Sequence, residues 1–160
     1  MKGGFVGALE HFPDGYRCYI IFLPNETDIR TDAEKFVMDN FWHAASSTDD
    51  DVLFSGVIHG EGLREARRTF QVQKMDEGYF LILDTQPASW DSSNDPVVKI
   101  PLNELKNGYD VRVLMLTLLS ISREDNFIGK LKRKQTFKRA NEILSRLPIF
   151  DLIKIFIPKP

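Results

Sequence analysis

Apolar positions fall in short runs between polar breaks, and the period inside each run predicts the element. After Arg17, the run Cys18-Tyr19-Ile20-Ile21-Phe22-Leu23 is continuously apolar. A strand covered on both faces has this pattern. Pro24-Asn25 ends it. Residues 5–12 lie on the other side of Pro13-Asp14-Gly15. Proline presets a turn and glycine accepts positive φ, so the pattern predicts a hairpin or tight reversal. Val52-Leu53-Phe54-Ser55-Gly56-Val57-Ile58 predicts a second buried strand and Gly78-Tyr79-Phe80-Leu81-Ile82-Leu83 a third. Val97-Val98-Lys99-Ile100 predicts a fourth, shorter one.

The helical period appears between these runs. Thr31-Asp32-Ala33-Glu34 has capping-box spacing, with threonine at the N-cap and glutamate three residues on. Ala33, Phe36, Val37, Phe41 and Ala44 then recur at helical spacing. Ser46-Ser47-Thr48 and Asp49-Asp50-Asp51 break that pattern. Gly60-Glu61-Gly62 reads as a turn. Leu63, Ala66 and Phe70 predict a short second helix, with Arg64, Arg67 and Arg68 outward. Residues 85–96 are a polar loop rich in turn formers. Asn107-Gly108 marks another turn, and Asp110 caps a helix running to about Ser122. Its apolar residues go nearly all round, which predicts a central helix.

Residues 130–147 read as a basic helix with Phe137, Ala140, Leu144 and Leu147 on one stripe, ended by Pro148. Residues 149–157 form a last apolar segment. The predicted division is an α/β domain over 1–126 and a basic, amphipathic extension over 127–160, packed on the domain or on a partner.

Composition narrows the class. The chain has 160 residues, 42% hydrophobic and 28% charged, so it is long enough for one core and too apolar for a disordered chain. Its one cysteine, Cys18, excludes an internal disulfide. The apolar runs are shorter than a bilayer span, and the first residues lack the apolar core of a signal peptide. The expected location is the cytoplasm.

Charge is divided unevenly. The net −2 combines a balance of −9 over residues 1–129 with +7 over residues 130–160. An acidic body with a basic tail predicts a tail that folds back, a contact with an acidic partner, or a solvated helix face.

The order strand, helix, strand, short helix, two strands, helix over residues 16–122 resembles the thioredoxin-like fold. There, two parallel strands joined by a helix meet an antiparallel hairpin. The stretch from Ile58 through Phe70-Gln71-Val72 to Leu83 is most alike. The resemblance implies a mixed sheet of about four to five strands flanked by helices, here with the basic C-terminal extension. Redox members carry Cys-x-x-Cys after the first strand of the motif, where this chain has Pro24-Asn25-Glu26-Thr27. They place a cis proline before the third strand, where this chain has Met75-Asp76-Glu77-Gly78. The resemblance therefore implies the scaffold without the redox chemistry, and non-redox members of such folds act as binding modules.

Candidate chemistry is sparse. Cys18 sits within a strand and reads as a structural thiol. His11, His43 and His59 have no close metal spacing. His59 ends the second strand, where open α/β sheets place ligands. Asp84 ends the third, and the pair would serve general acid–base chemistry if those strands were neighbours. Gly60-x-Gly62 lacks the third glycine of a dinucleotide fingerprint, since Glu65 stands there. Asp49-Asp50-Asp51 lacks the calcium-loop pattern. No cofactor or metal is expected. Lys130, Lys132, Arg133, Lys134, Lys138, Arg139 and Arg146 are the strongest feature. They predict, in order, self-association or docking on the protein itself, a protein partner, nucleic acid through salt-dependent phosphate contacts, and an anionic membrane surface. The functional expectation is a non-catalytic binding or adaptor module. The alternatives are a small enzyme using His59 and Asp84, and a nucleic-acid binder using the basic segment.

Overall fold

The computed structural model describes residues 4–72, 74–102, 112, 114–116 and 154–156, the last three by their backbone. The five strands are β1 (Cys18–Leu23), β2 (Val52–Gly56), β3 (Tyr79–Leu83), β4 (Val97–Pro101) and β5 (Lys154–Phe156). They form one mixed sheet in the order β2-β1-β3-β4-β5. β1 and β2 are parallel and joined by helix α1 (Asp32–Ser46). β3 is antiparallel to β1, and β4 to β3. Helix α2 (Gly60–Thr69) connects β2 to β3.

The continuous apolar runs follow from this layering. Every residue of β1 to β4 is buried, because each face of the sheet carries its own core. Side chains alternate between the faces at period two. Ile20, Phe22, Phe54, Phe80 and Ile82 pack on one side with Val37 and Phe41 of α1. Tyr19, Ile21, Leu23, Leu81 and Leu83 pack on the other with Leu63 and Ala66 of α2 and Phe70 at its C-cap. The predicted α/β class holds, with a helix on each face.

Thr31 caps α1 as its spacing predicts. Its hydroxyl accepts from the Glu34 amide at 3.2 Å, and Glu34 accepts from the Thr31 amide at 3.1 Å.

Two expectations are corrected. Residues 5–12 do not pair with β1 as a hairpin. Phe5 makes an isolated parallel bridge to Gly56 at the edge of β2, and Leu9–His11 is a single 3-10 turn. The Pro13-Asp14-Gly15 turn redirects the chain without forming a ladder. β3 and β2 already occupy both edges of β1, so no position is left there. The second correction concerns the helix expected to be apolar all round. Arg112 and residues 114–116 are helical, and Leu114 and Met115 enter the α1-side core, but Leu116 is 58% exposed. Its other residues, the Asn107-Gly108 turn and the predicted basic helix lie outside the described residues. The polar loop 85–96 is held by local contacts. A 3-10 turn at Pro87–Ser89 precedes Trp90, which packs on Phe70, and Asp91 accepts from the amide of Ser93. Among the described residues, no helix is long and apolar enough to cross a membrane.

Candidate functional site

Strand direction decides where chemistry can gather. β1 and β2 are parallel, so their C-terminal ends share one end of the sheet. The connections leaving them, residues 24–31 and 57–60, flank a cleft of about 270 Å³. Its walls include Asn25, Thr27, Asp28 and Arg30 on one side and His59, Gly60 and Arg64 at the start of α2 on the other.

Buried polar groups fix the wall formed by 24–31. Glu34 is fully buried on α1. Besides its capping bond, its carboxylate accepts from the Asn25 amide at 2.6 Å and from the Asn25 side-chain amide. A buried carboxylate is tolerable only with such donors. Asn25 also donates to the Ile29 carbonyl at 3.1 Å and accepts from the Thr27 amide at 2.8 Å. Arg30 closes the loop, donating to the carbonyls of Asn25, Thr27 and Ile58 at 3.1, 2.9 and 2.9 Å.

A second segment at this end, residues 74–78, is tied to the first. The Glu26 amide donates to the Met75 carbonyl at 2.8 Å. Arg67 of α2 is only 1% exposed and bonds both loops. Its guanidinium donates to the carbonyls of Pro24 at 2.9 Å, Glu77 at 2.7 Å and Lys74, and its Nε lies 3.3 Å from Glu26 Oε1. Burial pushes the Arg67 pKa down, and Glu26 opposes that shift. The Tyr79 hydroxyl donates to Glu77 at 2.9 Å. Burial first, then that carboxylate, push the phenol up to about 12.

The expected outward position of Arg67 is thus overturned. The signal was in the spacing. Arg67 stands four residues after Leu63 and one after Ala66, on the apolar stripe itself. A stripe position filled by arginine, facing two loops with free carbonyls, becomes a hub.

The structure does not bring His59 and Asp84 together. Their strands are separated by β1, and they run in opposite directions. His59 follows Gly56, which pairs with Phe22, whereas Asp84 follows Leu83, which pairs with Tyr19. Those partners alone are about 10 Å apart along β1. His59 is the exposed N-cap of α2, with no side-chain capping bond, on the rim of the cleft. Asp84 stands at the opposite end, where the Thr85 hydroxyl donates to it at 3.2 Å.

The remaining candidates are dispersed. His11 and His43 are exposed on the 3-10 turn and on α1. Asp51 takes a two-pronged bond from Arg17, at 2.7 and 3.2 Å. Among the described residues, no cluster of three or more His, Cys, Asp or Glu side chains could hold a metal. Lys130, Lys132, Arg133, Lys134, Lys138, Arg139 and Arg146 lie outside the described residues. A larger cavity of about 560 Å³ lies between α1 and Arg112, Met115 and Leu116. Its second wall is bracketed by residues outside the described set, whereas all those named around the strand-end cleft are within it.

Cys18 is buried at the start of β1. Burial drives its thiol up to about 12 from 9.0; Arg17 opposes the shift, while Asp84 and Asp51 add to it. The fold therefore favours the protonated thiol. That contribution to stability is complete below about pH 9 and is lost as pH rises toward about 12. The native protein should resist alkylation at neutral pH and react only with unfolding. A Cys18→Ala variant should lose less stability over the same alkaline window. Rapid alkylation of the folded protein would contradict this placement.

No family model, curated protein or solved structure matches the chain.

Proposed function

We propose that the chain is a non-catalytic binding module on a thioredoxin-like scaffold, with its binding face at the C-terminal ends of β1 and β2. Its acidic body and basic C-terminal segment serve protein interaction or self-association. The scaffold reading is supported by the parallel β1–β2 pair joined by α1 and by the antiparallel β3–β4 hairpin. The observation that carries the binding reading is the locked pair of loops around the strand-end cleft. Their backbone carbonyls are consumed by Arg30 and Arg67, while Thr27, Asp28, Ile29 and Met75 remain exposed. Polar and apolar groups held on fixed loops lose little entropy on binding. Ile29 is 80% exposed and Met75 62%, and both flank this end.

Two measurements test the reading. Thiol–disulfide exchange by the full chain should not exceed that of a Cys18→Ala control. Exchange that depends on Cys18 would make the protein a redox enzyme and end the proposal. Immobilised full chain should retain a protein that an Ile29→Asp, Met75→Asp variant of unchanged circular dichroism does not. Equal retention by both would remove binding from this end of the sheet.

A further inference from the structure

The segment before β1 lies across the body as a strap. We propose that two copies of this chain exchange residues 4–12, each strap seating on the other body, with Asp14-Gly15-Tyr16 as the hinge. The strand-end loops take no part, so the inference goes beyond the binding reading.

The seat itself selects the occupant. Phe5 bridges Gly56 at the outer edge of β2, and its ring centroid lies 4.2 Å from that of Phe41. Gly4 lies against Trp42, where an added Cβ would stand 3.3 Å from the indole. The Gly7 carbonyl occupies the place a side chain at Gly62 would take. Leu9 and Phe12 fill the α2-side core. The Gln86 side chain donates to the Phe12 carbonyl at 2.9 Å, and the Tyr19 hydroxyl to the Pro13 carbonyl at 2.8 Å. A second copy carries the same order of glycines and apolar residues. An exchanged dimer therefore remakes each of these contacts and needs no new surface.

The hold and the hinge are the second argument. Among the described residues, the strap pairs with β2 through one bridge. The Val6 amide donates to the Gly56 carbonyl at 2.9 Å, and the Gly56 amide to the Gly4 carbonyl at 3.3 Å. The Ser55 hydroxyl also donates to the Gly4 carbonyl. A segment tied by so few bonds opens at a lower free energy than the central strands. Opening puts Phe5, Leu9 and Phe12 in water, and reseating on either body buries them again. The chain reverses between two anchors, the Pro13 carbonyl and the Arg17 amide, which donates to the Asp51 carbonyl at 2.8 Å. Between them Asp14 and Gly15 are exposed, and Gly15 has a φ of +92°. Glycine alone makes that reversal without strain. No described atom lies within 4 Å of a Cβ added there, so a substitution at Gly15 acts through the dihedral. In the exchanged dimer the hinge is extended, and a negative φ is open to any residue.

Light scattering on the full chain tests the exchange, after refolding from urea at low and at high concentration. Gly15→Val strains the reversed hinge and leaves the extended one unhindered. It should favour the dimer about tenfold at each hinge, so about a hundredfold in the association constant. Gly15→Ala is the milder version if Gly15→Val misfolds. Inserting Gly-Ser-Gly-Ser after Gly15 in the same variant should restore the monomer, because a longer hinge reverses without that dihedral. A variant at Gly15 that stays monomeric at every concentration, or a dimer that survives the longer hinge, would overturn the proposal. Ile29→Asp with Met75→Asp should leave the dimer intact, and its loss there would also overturn the exchange. The strand-end binding reading is tested by partner retention, so either can fail while the other stands.

Discussion

Arg67→Met should cost about 4 kcal/mol, within the range of about 3–5 for breaking a buried ion pair by removing one partner. Methionine fills much of the same volume, so the loss is not a cavity effect. It strips the partner from the carbonyls of Pro24, Lys74 and Glu77, and it leaves Glu26 facing an apolar side chain. Each buried acceptor left alone costs about 1–3 kcal/mol. For a chain of this length that corresponds to a fall in Tm of roughly 8–16 °C. Arg67→Lys should rescue little, because an ammonium group cannot span three carbonyls and a carboxylate with the geometry of a planar fork. Glu26→Gln should cost far less, since Glu26 keeps 18% of its side chain exposed and Arg67 retains its carbonyls. Thermal melts of the three variants decide the matter. A Tm for Arg67→Met within a degree or two of the parent would show that the guanidinium does not hold the loops.

The sheet was legible in the sequence because burial on both faces leaves a plain mark. β1 and β3 appear as continuous apolar runs, and β2 and β4 as runs broken only by Ser55 and Lys99, at nearly their final bounds. The start of α1 was legible for a local reason, since a capping box is written in four adjacent residues. Residues 5–12 were misread because their role depends on which sheet edge is free, and edge occupancy is a property of the whole topology. The site failed in the same way. His59 and Asp84 each follow an apolar run in the sequence, which gives no sign that the two strands run in opposite directions with β1 between them. Long-range pairing decides that, and a local pattern does not encode it. Arg67 is the converse case. Its place on the Leu63–Ala66–Phe70 stripe was visible, but its charge suggested solvent. The carbonyls that make its burial tolerable come from loops up to 43 residues away.

Gly62→Ala should destabilise the protein by about 3 kcal/mol, the upper part of the usual range for forcing atoms into a packed site. A Cβ on Gly62 would overlap the carbonyl oxygen of Gly7 and stand 2.8 Å from its carbon and 3.2 Å from the Ala8 Cα. These are backbone atoms, so no side-chain rotation relieves the clash. The N-terminal segment would have to lift from α2. It would carry with it Leu9 and Phe12, which belong to the α2-side core, and strain the Phe5–Gly56 bridge. Gly60→Ala is the informative comparison two residues away. Nothing lies within 4 Å of its added Cβ, but its φ of +72° is left-handed. It should cost only the conformational term, about 1–2 kcal/mol. The sequence Gly60-Glu61-Gly62 thus contains two glycines kept for different reasons, one for a dihedral and one for a close approach. Proteolysis near residues 5–12 separates the two. Gly62→Ala should open that segment to cleavage while Gly60→Ala leaves it protected. Equal protection in both variants would mean that the segment does not rest on α2.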